Sequence, residues 1–249
     1  MATNSGQRLL TVAAAQLGPT PSLDTPRDGV LERMIGLCEE AASKKVRLVV
    51  FPELALTTFF PGYVIEKQEE IDKFFEPASP EDPYAIIHSP NGKPLFDKAS
   101  ELGLDLSVGY GERWTGEDGK VTYYNTAIYY SAKQRNGIAK YRKIHLPGRH
   151  EPDTRPGVTQ QLEKRYFAVG DLGFAAFRVP DLVQGALKSK DSVSEEEAQG
   201  KGDPIVGMLI CNDRRWAEGW RSYGLQGIEL LLVSSISPAK RSVKIRNGT

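Results

Sequence analysis

Glu53, Lys143 and Cys211 are of residue types that suit nucleophilic catalysis, and each lies at the end of a predicted strand. A cysteine nucleophile needs a base to take its proton and a cation to stabilise the oxygen that becomes negative on attack. A glutamate and a lysine supply those two roles. Because open α/β sheets place their ligand sites at the carboxyl ends of strands, we expect the three side chains to meet.

Each of the three residues also has a purely structural interpretation. A cysteine at a strand end is more often an inert buried thiol than a nucleophile, and Cys38, on the apolar face of a predicted helix, is interpreted as a core residue of that kind. A single glutamate or lysine at a strand end is usually a solvated charge. Glu53, however, ends an apolar run, where an unpaired ionised carboxylate is unfavourable. The combination of the three types is what favours a catalytic site.

Strands and helices alternate along the chain, which predicts an α/β fold. Thr25 is expected to cap the first helix, with Pro26 at its first position. A turn around 135–137 predicts an antiparallel pair from the two strands that it joins. The predicted strands cover 9–18, 46–52, 104–112, 122–131, 137–144, 173–179, 204–211 and 228–235, and the predicted helices cover 25–44, 95–102 and 215–225.

The composition predicts one globular domain over residues 1–249, with 40% hydrophobic and 26% charged residues. Because 32 basic residues balance 32 acidic ones, the charge gives no reason to expect nucleic acid or an anionic membrane as a partner. Two cysteines are too few for a disulfide framework, and no signal peptide or membrane-spanning run is evident, so we expect a cytoplasmic protein. Residues 187–203 are polar and charged, which predicts an inserted, solvated loop.

Long stretches of the chain resemble the nitrilase, or carbon–nitrogen hydrolase, superfamily: "FPELALTTFFP", "KYRKIHLPG", "LEKRYF" with "GDLGF", and "CNDRRW". The resemblance runs from the first strand nearly to residue 232, and within the superfamily it is nearest to the N-carbamoyl-D-amino acid amidohydrolases. It implies a four-layer α-β-β-α sandwich that assembles into a homo-oligomer when the fold is complete. Members of the family continue with more strands and helices, so a C-terminally shortened form of that sandwich is expected.

The resemblance also implies a role for each catalytic residue. Cys211 corresponds to the nucleophile, Glu53 to the general base and Lys143 to the cation that stabilises the oxyanion. Superfamily members often place a second glutamate beside the lysine, and Glu163 of "LEKRYF" falls there; a surface glutamate in a charged turn is the alternative. Neither a metal nor another cofactor is implied, and the three histidines lack the spacing of metal ligands.

Arg214 and Arg215 lead to the substrate prediction. A guanidinium group binds a carboxylate bidentately, so arginines just beyond the nucleophile suit the α-carboxylate of an N-carbamoyl amino acid. The alternative is a helix start whose arginines face solvent, although cations at a helix N-terminus are mildly unfavourable. The resemblance adds His145 and Asn212 to the substrate site. Hydrolysis of N-carbamoyl-D-amino acids is the activity that the resemblance implies.

Two positions depart from the family pattern and leave the exact substrate open. Gln161 stands where the family usually has a histidine, and Ile236-Ser237 replaces an Asn-Thr pair. One alternative is another superfamily amidase, for example one acting on N-carbamoylputrescine, whose cationic end Arg214 and Arg215 would repel. A second alternative is a truncated, non-catalytic remnant that binds ligands without turnover.

Overall fold

Two β-sheets with helices on their outer faces make up the chain in the computed structural model, which describes residues 8–183 and 202–236. The strands are β1 (Val12–Ala14), β2 (Leu48–Val50), β3 (Phe75–Ala78), β4 (Asp105–Thr115), β5 (Val121–Ser131), β6 (Asn136–Arg142), β7 (Phe177–Arg178), β8 (Ile205–Ile210) and β9 (Leu230–Ser234). The helices are α1 (Arg27–Ser43), α2 (Gln68–Asp72), α3 (Lys93–Leu102), α4 (Glu163–Tyr166) and α5 (Ala217–Leu225).

The larger sheet has the strand order β1-β2-β4-β5-β6, and β3 pairs with β4 beyond the end of β2. Strands β1, β2 and β4 run parallel, whereas β4, β5 and β6 form an antiparallel meander. The predicted antiparallel pair, β5 and β6, is therefore confirmed. In the smaller sheet, β8 lies between β7, which is antiparallel to it, and β9, which is parallel.

The two faces of β5 show how the layers are stacked. Ile128 and Tyr130 pack in the core that contains α1 and α3. Ala127 and Tyr129 pack instead with residues of the smaller sheet such as Met208. Because successive side chains of a strand point to opposite faces, the larger sheet lies between the two helices and the smaller sheet.

Helix α5 covers the remaining face of the smaller sheet. A Cβ atom on Gly207 of β8 would lie 2.9 Å from the Tyr223 ring, so glycine allows the helix to approach the strand closely. One turn earlier, Gly219 faces Leu209. The layers therefore follow the order helix, sheet, sheet, helix, which is the four-layer sandwich that the resemblance implied.

The N-terminal elements differ from the predictions in detail. Strand β1 is only three residues long and Val12 is 49% exposed, because the strand lies at the edge of the sheet and not in its centre. Helix α1 has Pro26 at its N-cap without a side-chain hydrogen bond, so the predicted Thr25 cap is wrong. The Thr25 hydroxyl accepts a hydrogen bond from the N–H of Ser22 at 3.2 Å.

Strand β3 and the short helices α2 and α4 are absent from the sequence-based expectations. The segment that holds α2 and β3 is rich in proline and acidic residues, which is typical of a loop. Pro77 is tolerated in β3 because the strand pairs only with β4 and lies at an edge. Short elements of this kind depend on pairing partners that are distant in the sequence.

Most of the predicted inserted loop, 187–203, lies outside the described residues. At its end, the Asp203 carboxylate accepts a hydrogen bond from the N–H of Asp181 at 2.9 Å. The carbonyl of Gly202 accepts one from the Arg8 guanidinium at 2.9 Å. In the ranges 8–183 and 202–236, the helices are all too short or too polar to cross a bilayer.

Candidate active site

Glu53 lies in the turn after β2 and is fully buried. The turn rests on β4, where the N–H of Ala55 donates to the carbonyl of Gly109 at 2.8 Å. A Cβ atom on Gly109 would lie 2.6 Å from the carbonyl oxygen of Pro52 and 2.7 Å from the Cα of Glu53. The missing side chain at position 109 is therefore what allows the glutamate to lie against the sheet.

Lys143 follows β6 directly and is also fully buried. Its backbone N–H donates to the carbonyl of Asn125 at 2.8 Å, which extends the pairing with β5. Its Nζ donates to Oε1 of Glu53 and to Oε2 of Glu163, each at 2.6 Å. The structure thus brings the predicted base, the predicted cation and the second glutamate into one cluster. Because Glu163 is fully buried, it is not a surface residue in a charged turn.

The two carboxylates of this cluster share one ammonium group. Burial raises the pKa of the Glu163 carboxyl and the Glu53 carboxylate raises it further, while Lys143 lowers it only in part. Burial by itself lowers the pKa of Lys143, but the two carboxylates outweigh this effect, so the pKa is raised and the lysine stays charged. With both carboxylates ionised and the lysine charged, the cluster is net negative. It is therefore suited to take up and hold a proton, as a general acid–base site requires.

Cys211 follows β8 and begins a short 3-10 segment, Cys211–Arg215. Its φ of +48° is rare for a residue other than glycine, and backbone strain of this kind concentrates at functional sites. Burial raises the pKa of its thiol, the Glu53 carboxylate raises it further and the Lys143 ammonium lowers it in part. The thiol is therefore protonated at neutral pH, and a base has to take its proton when the sulfur attacks.

Asp213 joins the segment after β6 to the end of β8. Its Oδ1 accepts the backbone N–H of His145 and contacts Nδ1 of the same residue, both at 2.8 Å. Its Oδ2 accepts the Tyr141 hydroxyl at 2.8 Å and the backbone N–H of Ile210 at 3.2 Å. Because Tyr141 and His145 flank the lysine and Ile210 precedes the cysteine, this buried carboxylate fixes the spacing between Lys143 and the thiol.

His145 and Asn212, two of the four predicted substrate-binding residues, line a cleft of about 500 Å³ beside the cluster. The Asn212 amide donates to the carbonyl of His145 at 3.0 Å, and the His145 ring stacks on Trp216 with centroids 4.8 Å apart. Glu53, Lys143 and Cys211 are not part of the cleft wall, although Ile144 and Asn212, which follow Lys143 and Cys211, are. The wall consists of Ile144, His145, Leu146, His150, Lys164, Phe167, Ala168, Val169, Asn212 and Trp216.

Arg214 and Arg215, the other two predicted substrate-binding residues, are exposed and do not line the cleft. The Arg214 guanidinium donates to the carbonyl of Cys211 at 2.5 Å. The alternative interpretation, arginines that face solvent, matches their positions. At the first departure from the family pattern, the backbone carbonyl of Gln161 lies against Gly148. At the second, Ser237 lies outside the described residues.

Two residues of the cluster are not among those that the sequence patterns predict. Asn125 donates from Nδ2 to Oε1 of Glu53 at 2.7 Å, and Asp213 makes the contacts given above. A signal for Asn125 was available, since it is a lone amide at an inward-facing position of an apolar strand. Asp213 stands inside "CNDRRW", but nothing local to that motif shows which backbone groups it binds.

The carbon–nitrogen hydrolase family model matches residues 11–248. The chain belongs to the carbon–nitrogen hydrolase family. The catalytic roles of individual residues are not part of that finding, because the match concerns the chain as a whole. The predicted membership of the nitrilase superfamily is therefore confirmed. The more specific prediction, an enzyme of the N-carbamoyl-D-amino acid type, stays a proposal.

Curated relatives of the chain include proteins with two different names. The chain is 30% identical over 223 residues to a nitrilase of Pyrococcus abyssi, covering 90% of this chain and 63% of that protein. It is 27% identical over 224 residues to an N-carbamoylputrescine amidase of Solanum tuberosum, covering 90% and 57%. The chain therefore spans less than two thirds of the length of the curated relatives it matches.

Solved structures share the fold. A carbon–nitrogen hydrolase from Helicobacter pylori G27 superposes with a TM-score of 0.62 at 21% identity, covering 91% of this chain and 59% of that one. An amidase from Nesterenkonia sp. superposes with a TM-score of 0.59 at 18% identity, covering 97% and 69%. The predicted α-β-β-α nitrilase fold is confirmed by these likenesses.

Replacing Gly109 by alanine is expected to displace Glu53, because the new Cβ would overlap the backbone at Pro52 and Glu53. A displacement of about 1 Å lowers catalysis by about a hundredfold. Gly36→Ala on α1 is the matched control, since nothing lies within 4 Å of its Cβ position. Thermal melting and ammonia release compare the two variants, and equal activity in both would contradict the placement of Glu53.

Proposed function

We propose that this protein hydrolyses a carbon–nitrogen bond other than a peptide bond, with Cys211 as nucleophile. The observation that supports this most directly is the buried Lys143 ammonium, bound at 2.6 Å by each of two carboxylates. The same lysine and Glu53 act electrostatically on the Cys211 thiol, which supports the roles of cation and base beside a nucleophile. Membership of the carbon–nitrogen hydrolase family is consistent with this chemistry.

In the proposed first half-reaction, Glu53 takes the thiol proton and the Cys211 sulfur attacks the carbonyl carbon of a ureido or amide group. The oxygen that becomes negative is stabilised by Lys143 and by the backbone N–H of Asn212. When the tetrahedral intermediate collapses, the carbon–nitrogen bond breaks and ammonia leaves with the proton held by Glu53. A thioester on Cys211 remains.

In the second half-reaction, Glu53 takes a proton from water, and the hydroxide oxygen attacks the thioester carbon. The carbon–sulfur bond then breaks and the thiolate recovers its proton. With a ureido substrate the product is a carbamate, which decomposes to carbon dioxide and a free amine. We assign Glu163 the role of holding the Lys143 ammonium together with Glu53, since each carboxylate binds Nζ at 2.6 Å.

For the substrate, we propose N-carbamoyl-D-amino acids, which yield a D-amino acid, carbon dioxide and ammonia. The support is His145 and Asn212 in the cleft wall, together with Arg214 and Arg215 at the end of the segment that begins with Cys211. Because both arginines are exposed, they would bind the substrate carboxylate from the rim of the site. A second candidate is an N-carbamoylputrescine-like amide, which is favoured by the 27% identity to plant enzymes of that name.

Ammonia release from a matched panel tests both candidates. The panel comprises N-carbamoyl-D-alanine, N-carbamoyl-L-alanine, N-carbamoylputrescine and a simple aliphatic amide, with Cys211→Ala as the blank. We expect the D-amino acid derivative to be hydrolysed fastest. Preference for N-carbamoylputrescine would select the second candidate, and a folded protein that hydrolyses none of the four would contradict the proposed function and favour a non-catalytic chain.

Replacing Arg215 by lysine is expected to raise KM for the N-carbamoyl amino acid by about tenfold, with little change in kcat, because a point charge cannot replace a planar, bidentate donor. Arg221→Lys, at an exposed position on α5, is the matched control. Steady-state kinetics on both variants give the answer. Unchanged KM in Arg215→Lys would mean that the substrate carboxylate binds elsewhere.

A further inference from the structure

Asn125 is a fully buried residue of β5 that no step above requires. Its side chain shares the strand face of Ala127, which is the face toward the smaller sheet. Its Nδ2 donates to Oε1 of Glu53 at 2.7 Å and lies 3.5 Å from Oε2 of Glu163. One amide therefore contacts both of the carboxylates that bind Lys143.

The orientation of this amide is set by the two carboxylates. Its Oδ1 is buried and has no hydrogen-bond donor in the part of the chain that the structure describes. A buried carbonyl oxygen without a donor is unfavourable, but a flipped amide would also place that oxygen against carboxylate oxygens. The observed orientation gains a charge-assisted hydrogen bond to Glu53 instead.

The contacts also make the two oxygens of Glu53 different. Oε1 accepts from Lys143 Nζ at 2.6 Å and from Asn125 Nδ2 at 2.7 Å. Oε2 is buried and accepts no hydrogen bond from a nitrogen or hydroxyl donor among residues 8–183 and 202–236, while the Cys211 thiol interacts with the Glu53 carboxylate. Oε2 is therefore the oxygen with a lone pair free for a proton. Because Asn125 carries no charge, its hydrogen bond stabilises the carboxylate less than a second cation would.

We infer that Asn125 is a positioning residue that selects Oε2 of Glu53 as the proton acceptor and keeps the Glu53 and Glu163 carboxylates together on Lys143. The inference rests on the proposed function, since it assigns Glu53 the part of the base. In this role Asn125 acts through Glu53 and contacts no reacting atom itself. Removal of the Asn125 amide is therefore predicted to change the pH dependence of the reactivity of Cys211.

Two variants remove the Nδ2 donor without adding an ionisable group: Asn125→Leu, which keeps the approximate shape of the side chain, and the smaller Asn125→Val. Without the donor, the ionised carboxylates lose a hydrogen bond, so they protonate at higher pH. The acid limb of the kcat profile is expected to move to higher pH by about one pH unit, and kcat at neutral pH to fall by about tenfold, with little change in KM. A residue that only fills space would leave the profile in place.

Asn91→Leu is the matched control. Asn91 donates from its amide to Oε1 of Glu76 at 2.9 Å, and Arg27 binds the same carboxylate, so the contact is of the same kind but remote from Cys211. This variant is expected to keep the pH profile of the wild type. Thermal melting of every variant establishes that the folded state is being compared.

The rate of Cys211 alkylation by iodoacetamide, measured against pH, separates this inference from the proposed function because it needs no substrate. We expect the acid limb of the alkylation profile to shift upward in both Asn125 variants and not in Asn91→Leu. Coincident profiles in folded variants, or failure of both Asn125 variants to fold, would overturn the inference. A shifted profile in a protein that hydrolyses no amide would keep the inference and remove the proposed function.

Discussion

Replacing Cys211 by alanine is expected to lower ammonia release by about a thousandfold or more, because no other group supplies the nucleophile. The protein should stay folded, since the substitution leaves the Lys143 cluster with its two carboxylates intact. Alanine carries a Cβ as cysteine does, so the strained φ of +48° is retained without added clash. Ammonia release and thermal melting of the purified variant measure both expectations.

Cys38→Ala is the control for this experiment. Cys38 is fully buried in α1, and burial followed by the charge of Glu39 raises the pKa of its thiol to about 12. Its replacement should leave kcat unchanged and destabilise the fold by about 1–2 kcal/mol. Brief treatment with iodoacetamide should label Cys211 first, since Cys38 is fully enclosed and Cys211 is not. Turnover in Cys211→Ala, or preferential labelling of Cys38, would exclude Cys211 as the nucleophile.

Strand ends are the part of the site that the sequence predicts well. Glu53, Lys143 and Cys211 all follow strands in the structure, and the predicted runs at whose ends they stand overlap β2, β6 and β8. Long apolar runs mark such strands because burial on both faces requires them. The convergence of the three side chains then follows from the packing of the two sheets, in which β8 lies against the larger sheet.

The contacts of Asn125 and Asp213 were not predictable because their partners are remote in the sequence. Asn125 reaches Glu53 across 72 residues, and Asp213 reaches His145 across 68. Which face a strand residue occupies depends on register, and a slip of one residue would turn Asn125 away from the cluster. No local pattern contains that register, so only the assembled sheet reveals the contact.

Arg214 and Arg215 show the opposite limit, where residue chemistry alone suggests a substrate contact but does not predict how exposed the side chains are. A guanidinium group suits a carboxylate, yet the 3-10 segment Cys211–Arg215 leaves both side chains exposed. Val12 illustrates the same limit for the fold. Its apolar neighbours predict a buried strand, whereas β1 has an edge position and leaves Val12 49% exposed.

Replacing Lys143 by methionine is expected to damage both activity and stability. Methionine keeps a similar length but removes the only ammonium that binds Glu53 and Glu163 in the described part of the chain. Loss of one partner from a buried ion pair costs about 3–5 kcal/mol, a large share of a total stability of about 5–15 kcal/mol. Loss of an oxyanion donor lowers kcat by about a hundredfold to a thousandfold.

The stability loss in Lys143→Met should depend on pH with a definite sign. Burial and the Glu53 carboxylate already raise the pKa of Glu163 above its ordinary value, and removal of the lysine raises it further. Between the pKa of Glu163 in the unfolded chain and its higher pKa in the folded protein, the folded state keeps a proton that the unfolded state has released. The folded state therefore becomes less stable as pH rises through this range. Lys143→Met should therefore melt at a higher temperature at about pH 5 than at about pH 8, by a wider margin than the wild type.

Adding Glu163→Gln to Lys143→Met separates the two effects. Glutamine has no charge to bury, so the double variant should recover most of the lost stability and most of the pH dependence of melting should disappear. Ammonia release should stay low, because the oxyanion still lacks its cation. Melting curves and initial rates at both pH values test this together. Equal melting temperatures for the wild type and Lys143→Met at about pH 8 would show that Lys143 does not neutralise the two buried carboxylates.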